Sequence, residues 1–354
     1  MPHMTMRFVH VSNPQRVVFA PGDAARALSD EIDELGVRRT MLIASPSGPG
    51  DRLARSLPVA LRHSEITMHV PVELAETARK RATVADVDAV VSVGGGSATG
   101  LAKAVALTTG LPIIAVPTTY AGSEATDMWG MTQDATKSTG VDPRVLPRAV
   151  IYDATLTASM PSDMAMASGL NALAHGVDSM WAPRSDPIDR ALAEESIRSL
   201  AGGLRDIVDD PGALSGRERT LYGAYLAAVA FASAGSGLHH KVCHVVGGMF
   251  NLPHAQTHAV VLPHVVALNA PADDAADTRI ARALGSSTAS DGLADLYQRV
   301  GAPRSLAELG MPEAGIERAT HAILDVMPVG NPVELTEDNL AALLRRAWKG
   351  TPIT

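Results

Sequence analysis

Apolar residues fall in short unbroken runs over the first 155 positions, and at helical spacing from about residue 158 onward. The runs in the first part read RVVFAPG, RTMLIAS, VDAVVSVGGGS, GLPIIAVPTT and RAVIYD. Short apolar runs closed by turn residues predict strands buried on both faces. DAARALSDEIDELG, between the first two, repeats its apolar positions every three to four residues and ends in glycine, which predicts a helix. Strands separated by helices predict an α/β region built on a mainly parallel, Rossmann-like sheet. Later segments are rich in Ala and Leu at helical period: SDMAMASGLNALAHGVDSMWA, PIDRALAEESIRSLAGGLRDIV, GRERTLYGAYLAAVAFASAG, GLADLYQRVG and TEDNLAALLRRAWKG. The turn-rich DATLTASMPSD marks the change. It predicts an α/β domain over 1–157 and an all-α domain over 158–354.

The strand ending at Val93 runs into Gly94, Gly95, Gly96 and Ser97, and ATGLAKAVAL then begins a helix. Consecutive glycines let a backbone approach a ligand, and the N–H groups of a helix start favour an anion such as a pyrophosphate. The bland reading is a tight turn between strand and helix. A second loop, VPTTYAGSEAT, also follows an apolar strand, and Thr118, Thr119 and Ser123 offer hydroxyls there. Two such loops at strand ends point to the ligand crevice of an open α/β sheet.

Seven of the twelve histidines lie between residues 175 and 264. Asn171 and His175, His240 and His244, and His254 and His258 are each four apart, hence on one helix face. A lone histidine on an apolar helix is usually a core residue. This concentration beside a nucleotide-type loop predicts a catalytic pocket or a metal site.

Composition narrows the field. The 354 residues carry a net charge of −8, with 46% apolar and 19% charged residues, so neither nucleic acid nor a membrane surface is an expected partner. One cysteine, Cys243, allows no intrachain disulfide. With no apolar signal core and no apolar run of roughly 18 residues, the expected location is the cytoplasm.

GGGSATGLAK, PTTYAGSEATD, SGLNALAHGVDSMWA and LHHKVCHVVGGMFNLPHAQTHAVVLPH resemble the iron-containing alcohol dehydrogenases, whose fold is dehydroquinate synthase-like. TTYAGSE, KSTGVDPRVLPRAVIYD, LHHKVCH and FNLPHAQTH are similar to the branch that reduces maleylacetate. The resemblance spans nearly the whole chain. It implies a cleft between the two domains, with the NAD(P) pyrophosphate on Gly94–Ser97 and Thr118 and Thr119 close by. In metal-dependent members an aspartate and three histidines hold a divalent ion. Their places fall here on Asn171, His175, His240 and His254, while His244 matches a further site histidine that is not a ligand. Asn171 brings no negative charge, which weakens a site for a hard dication. The resemblance therefore implies a metal-independent reductase; a bound metal would take His175, His240 and His254.

On that reading, NADH or NADPH reduces the conjugated C=C bond of maleylacetate to give 3-oxoadipate in aromatic-compound degradation. His244 and His254 lead as catalytic residues, with protonated histidines replacing the metal. His175 and His240 shape the pocket or, with Asn171 and Lys241, bind the dicarboxylate. Lys137, Arg144 and Arg148 are further candidate cations. Neutral Ser45 and Ser47 after the second strand leave NADPH acceptable. A homodimer is expected, with MRFVHV as a strand pairing across a two-fold axis. The alternatives are a metal-dependent alcohol dehydrogenase acting on an aldehyde or ketone, a dehydroquinate-synthase-like lyase, and a nucleotide-binding module without activity.

Overall fold

The structure, a computed structural model, describes residues 6–133 and 136–352, without the side chains of 136 and 137. Its strands are β1 (Arg16–Phe19), β2 (Thr40–Ala44), β3 (Val59–His63), β4 (Ala89–Gly94), β5 (Ile113–Pro117), β6 (Met128–Gln133), β7 (Thr136–Val141) and β8 (Ala149–Tyr152). Six lie side by side in the order β1-β8-β5-β4-β2-β3, and every pairing is parallel. The inner strands are buried at nearly every position, which is why they read as unbroken apolar runs. Edge strand β3, VALRH, is half exposed, so it shows no such run and escapes a pattern search.

The chain steps from β2 out to β3, returns past β2 to β4, and goes on to β5. Successive connections thus leave β2 and β4 in opposite directions and open a crevice at the carboxyl ends of these strands. Helices α1 (Ala24–Glu34), α2 (Pro49–Leu53), α3 (Val72–Val84) and α4 (Gly96–Thr109) connect the sheet. β6 and β7 form a separate antiparallel hairpin.

The second half is helical: α5 (Ser162–Ser179), α6 (Pro187–Asp209), α7 (Leu214–Ala234), α8 (Leu238–Phe250), α9 (His254–Asn269), α10 (Asp274–Leu284), α11 (Ala289–Val300), α12 (Gly315–Leu324) and α13 (Glu337–Lys349). α5 packs against α6, α7 and α9 and is buried almost all round, so its sequence is apolar on every face. Among the described residues, no single helix is long and apolar enough to cross a membrane. The MRFVHV segment, expected to be a strand, is coil over residues 6–11 and exposes Met6, Val9 and Val11. A strand needs a partner for its backbone groups, and among the described residues of this one chain none pairs with it.

Candidate active site

The glycine loop forms as the sequence predicts: Gly94 ends β4, Gly95 precedes the first turn of α4, and Gly96 opens it. No side chain caps this helix start, so its N–H groups face outward for a ligand. A Cβ on Gly95 would lie 3.0 Å from Thr119 Cγ2, so glycine lets the two loops close on each other without displacing Thr119. Thr118 N donates to Gly94 O at 3.0 Å and locks the loop ends together. These loops form a cradle of backbone donors and small side chains that fits a dinucleotide pyrophosphate.

The second of these loops runs on through Ala121–Ser123 into a cleft of about 420 Å³. Ala121 and Ser123 from the loop line it, with His175, Phe231, His240, Lys241, His244 and His254 from the helices and Trp129 from the hairpin. Among the described residues, the lining holds no carboxylate.

One buried acid organises the histidines. Asp178 follows His175 by three residues on α5 and is 0% exposed. α7 and α8 meet at a 97° bend, which brings the start of α8 onto Asp178. Its carboxylate accepts from Gly237 N at 2.9 Å and His239 N at 3.2 Å, capping α8 from another helix. A Cβ on Gly237 would come within 2.5 Å of Asp178 Oδ1, so glycine is required for this approach. Asp178 Oδ2 also lies 2.8 Å from His240 Nδ1. The carboxylate only accepts, so Nδ1 carries the hydrogen and Nε2, buried without a partner, keeps its lone pair.

The His240 ring stacks on His175 with centroids 4.9 Å apart, and Phe231 lies 4.2 Å from His240. Burial in this apolar wall lowers the pKa of His175 to about 4. Burial, with His175 and His244 nearby, pushes His240 well below the usual histidine range. Burial thus favours the neutral form of both rings. Too little solvent reaches them to support an imidazolium. His244 and His254 are exposed at the cleft and stand where a proton can reach them.

Other expected residues separate clearly. Asn171 lies one turn before His175, is 3% exposed, and is not part of the cleft lining; its Oδ1 has no partner. Lys241 does line the cleft. Arg144 is exposed and paired with Asp142 at 2.6 Å, and Arg148 is also exposed; neither reaches the cleft, because both lie beyond the hairpin on the surface. The Lys137 side chain lies outside the described residues. Ser45 and Ser47 are exposed at the end of β2, where Arg62 pairs with Asp51.

Sequence reasoning missed Asp178, Phe231, Trp129 and His239. His239 Nε2 sits 2.9 Å from His258 Nδ1 in a buried layer behind the cleft. The one available signal was GSG before LHH, which marks a sharp turn into α8.

The profile "Iron-containing alcohol dehydrogenase" matches residues 14–154, and "Fe-containing alcohol dehydrogenase family, C-terminal" matches residues 165–348. The chain belongs to the iron-containing alcohol dehydrogenase family. Maleylacetate reductase of Burkholderia cepacia is 45% identical over 350 residues, covering 97% of this chain and 98% of the relative. The crystal structure of an iron-containing alcohol dehydrogenase from Corynebacterium glutamicum superposes with a TM-score of 0.96 at 51% identity, covering 98% of each chain. Maleylacetate reductase from Agrobacterium tumefaciens superposes at 0.93 with 39% identity, covering 99% of this chain and 100% of the other. The fold is thus that of the family, a six-stranded parallel sheet followed by helices.

The family name implies a divalent iron. The residues here do not fit one. Asn171, where the resemblance places the anionic ligand, is a neutral amide off the cleft wall, and among the described residues the lining adds no carboxylate and contributes Lys241. A dication there would lie among neutral imidazoles beside a cation.

Proposed function

We propose that the chain is a metal-independent, NAD(P)H-dependent reductase of maleylacetate. The observation that carries this reading is a cleft lined by four histidines and Lys241, with no carboxylate among the described residues, whose Ala121 lies against Gly96 of the glycine loop. A dicarboxylate meets no like charge there, and Lys241 supplies attraction.

NADH or NADPH, when bound on Gly94–Ser97 with Thr118, Thr119 and Ser123 alongside, supplies the hydride. The substrate's double bond is conjugated with its ketone. Reduction adds hydride at the carbon β to the ketone and a proton at the α carbon, with charge developing on the ketone oxygen in between. His254 donates a hydrogen bond to that oxygen, and His244 delivers the proton. His175 and His240, held neutral, keep the pocket dry and fix its shape, and Asp178 fixes His240. Trp129 covers the cleft from the hairpin and limits water. The 45%-identical maleylacetate reductase, alignable over nearly the full length, supports the substrate assignment.

The same reading makes the protein a cytoplasmic homodimer. β1 is the open edge of the sheet, and the coil before it exposes Met6, Val9 and Val11, apolar surface that a second copy would cover. Light scattering after gel filtration checks the dimer.

The deciding assay follows NADH oxidation by maleylacetate before and after exhaustive chelation. The expected result is turnover that survives chelation. No turnover with either nucleotide would overturn the substrate assignment. Turnover lost on chelation and restored by Fe²⁺ or Zn²⁺ would overturn only the metal-free chemistry.

A further inference from the structure

His10 lies in the coil before β1, yet its side chain is only 11% exposed. Its Nδ1 is 2.9 Å from Asp186 Oδ2, 3.5 Å from Asp189 Oδ1 and 3.3 Å from Ser233 Oγ. Asp186 divides its two oxygens. Oδ1 caps α6 by accepting from Ile188 N at 2.7 Å and Asp189 N at 2.9 Å, which leaves Oδ2 to face His10. Asp189 is 0% exposed. Its Oδ2 is 3.4 Å from Ser233 Oγ, and its Oδ1 is buried with no hydrogen-bond partner while pointing into this cluster. None of the four residues lines the catalytic cleft.

A single imidazole cannot satisfy this arrangement. Nδ1 carries at most one hydrogen, and the shorter contact directs it to Asp186. Asp189 Oδ1 then stays buried and unpaired, which is costly for a carboxylate.

A dication resolves this problem. Zn²⁺ takes imidazole nitrogen and carboxylate oxygen at about 2.0–2.2 Å in a tetrahedron, whose donor–donor edges are then roughly 3.3–3.6 Å. The separations of 2.9, 3.3 and 3.5 Å around His10 Nδ1 reach that size after small side-chain rotations. Mg²⁺ favours six oxygens and keeps several waters, for which this dry corner has little room.

We propose that His10, Asp186 and Asp189 form a Zn²⁺ site, with Ser233 Oγ completing the set, that clasps the N-terminal coil onto α6 and α7. Five residues after His10, Gln15 Nε2 donates to Glu124 O at 2.8 Å and Pro147 O at 2.9 Å. The coil is therefore a strap from the helical half to the sheet half, and the metal fastens it to the helical half. The site's role is to hold the two halves together rather than to take part in the chemistry.

The test uses tag-free, chelator-treated full-length protein titrated with Zn²⁺ against a chromophoric competitor. His10→Gln and Asp189→Asn should each bind one equivalent fewer than wild type. His254→Gln, altered only in the cleft, should keep that equivalent. Zn²⁺ at about ten times its Kd should slow tryptic cleavage at Arg7 roughly tenfold in wild type and not in Asp189→Asn. His10 sits in coil, so its variant keeps the fold, which circular dichroism and NADH binding verify. Wild-type stoichiometry in both variants, or equal cleavage rates with and without Zn²⁺ in wild type, would overturn the site.

Discussion

Asp178 Oδ2 lies 2.8 Å from His240 Nδ1, while the same carboxylate caps the helix that carries His240. One buried acid thus sets both where the imidazole stands and which nitrogen faces the cleft. Asp178→Asn keeps the size but offers an amide N–H to the ring and favours the other tautomer. We expect kcat for maleylacetate to fall on the order of 10²-fold, with the Kd for NADH nearly unchanged. Asp178→Ala also removes the cap and should lower stability by about 1–2 kcal/mol in thermal unfolding. An Asp178→Asn enzyme with unchanged kcat and pH profile would show that the contact is only structural.

Acid should unfold this protein early. The His175 pKa is lowered to about 4, and His239, His240 and His258 lie well below the histidine range, all chiefly through burial. Between the unfolded value of about 6.5 and the folded values, the unfolded chain binds more protons than the native one. Stability therefore rises with pH across this window, and falls as pH drops from about 6.5 toward 4. His175 alone accounts for about 3 kcal/mol of that loss. Urea unfolding at a series of pH values should show the slope, and His258→Asn, which cannot titrate, should flatten part of it. A flat profile over that window would mean that the buried histidines are charged.

Among the described residues, Lys241 is the one lysine or arginine that lines the cleft. Lys241→Met should raise KM for maleylacetate by roughly tenfold or more while kcat changes less, because the lost attraction acts equally on bound substrate and transition state. Lys241→Arg should recover most of the affinity. Arg144→Ala and Arg148→Ala should leave KM unaltered, since both side chains sit on the surface away from the cleft.

Most of the sheet could be read from the sequence because burial on both faces writes itself as unbroken apolar runs. β3 and the β6–β7 hairpin could not, because exposed strands use mixed residues such as VALRH and TKSTGV. Among site residues, the glycine loop and the histidines announced themselves by residue type and spacing. Asp178 did not. Its importance arises from the bend between α7 and α8, which delivers residues some sixty positions later onto its carboxylate. Phe231 and Trp129 are chemically ordinary and become site residues only through tertiary packing. The charge state of the histidines was also hidden, because it follows from burial rather than from sequence.

Asn171 offers the sharpest test of the proposed metal-free chemistry. It sits one helical turn from His175, buried, with Oδ1 unpartnered. Asn171→Asp is nearly isosteric, so the fold has no steric reason to change. It does place a carboxylate in a dry position, where the charge costs stability unless a cation meets it. In a His10→Gln background, which lacks the N-terminal site, Asn171→Asp should lower the melting temperature in chelator and recover it on adding Zn²⁺. The parent should show little such recovery. The new charge should also repel a dicarboxylate, so KM for maleylacetate should rise and turnover should fall even without metal. If Asn171→Asp instead kept full activity and gained no affinity for Zn²⁺, the amide could not be what separates this cleft from the metal-binding members of its family.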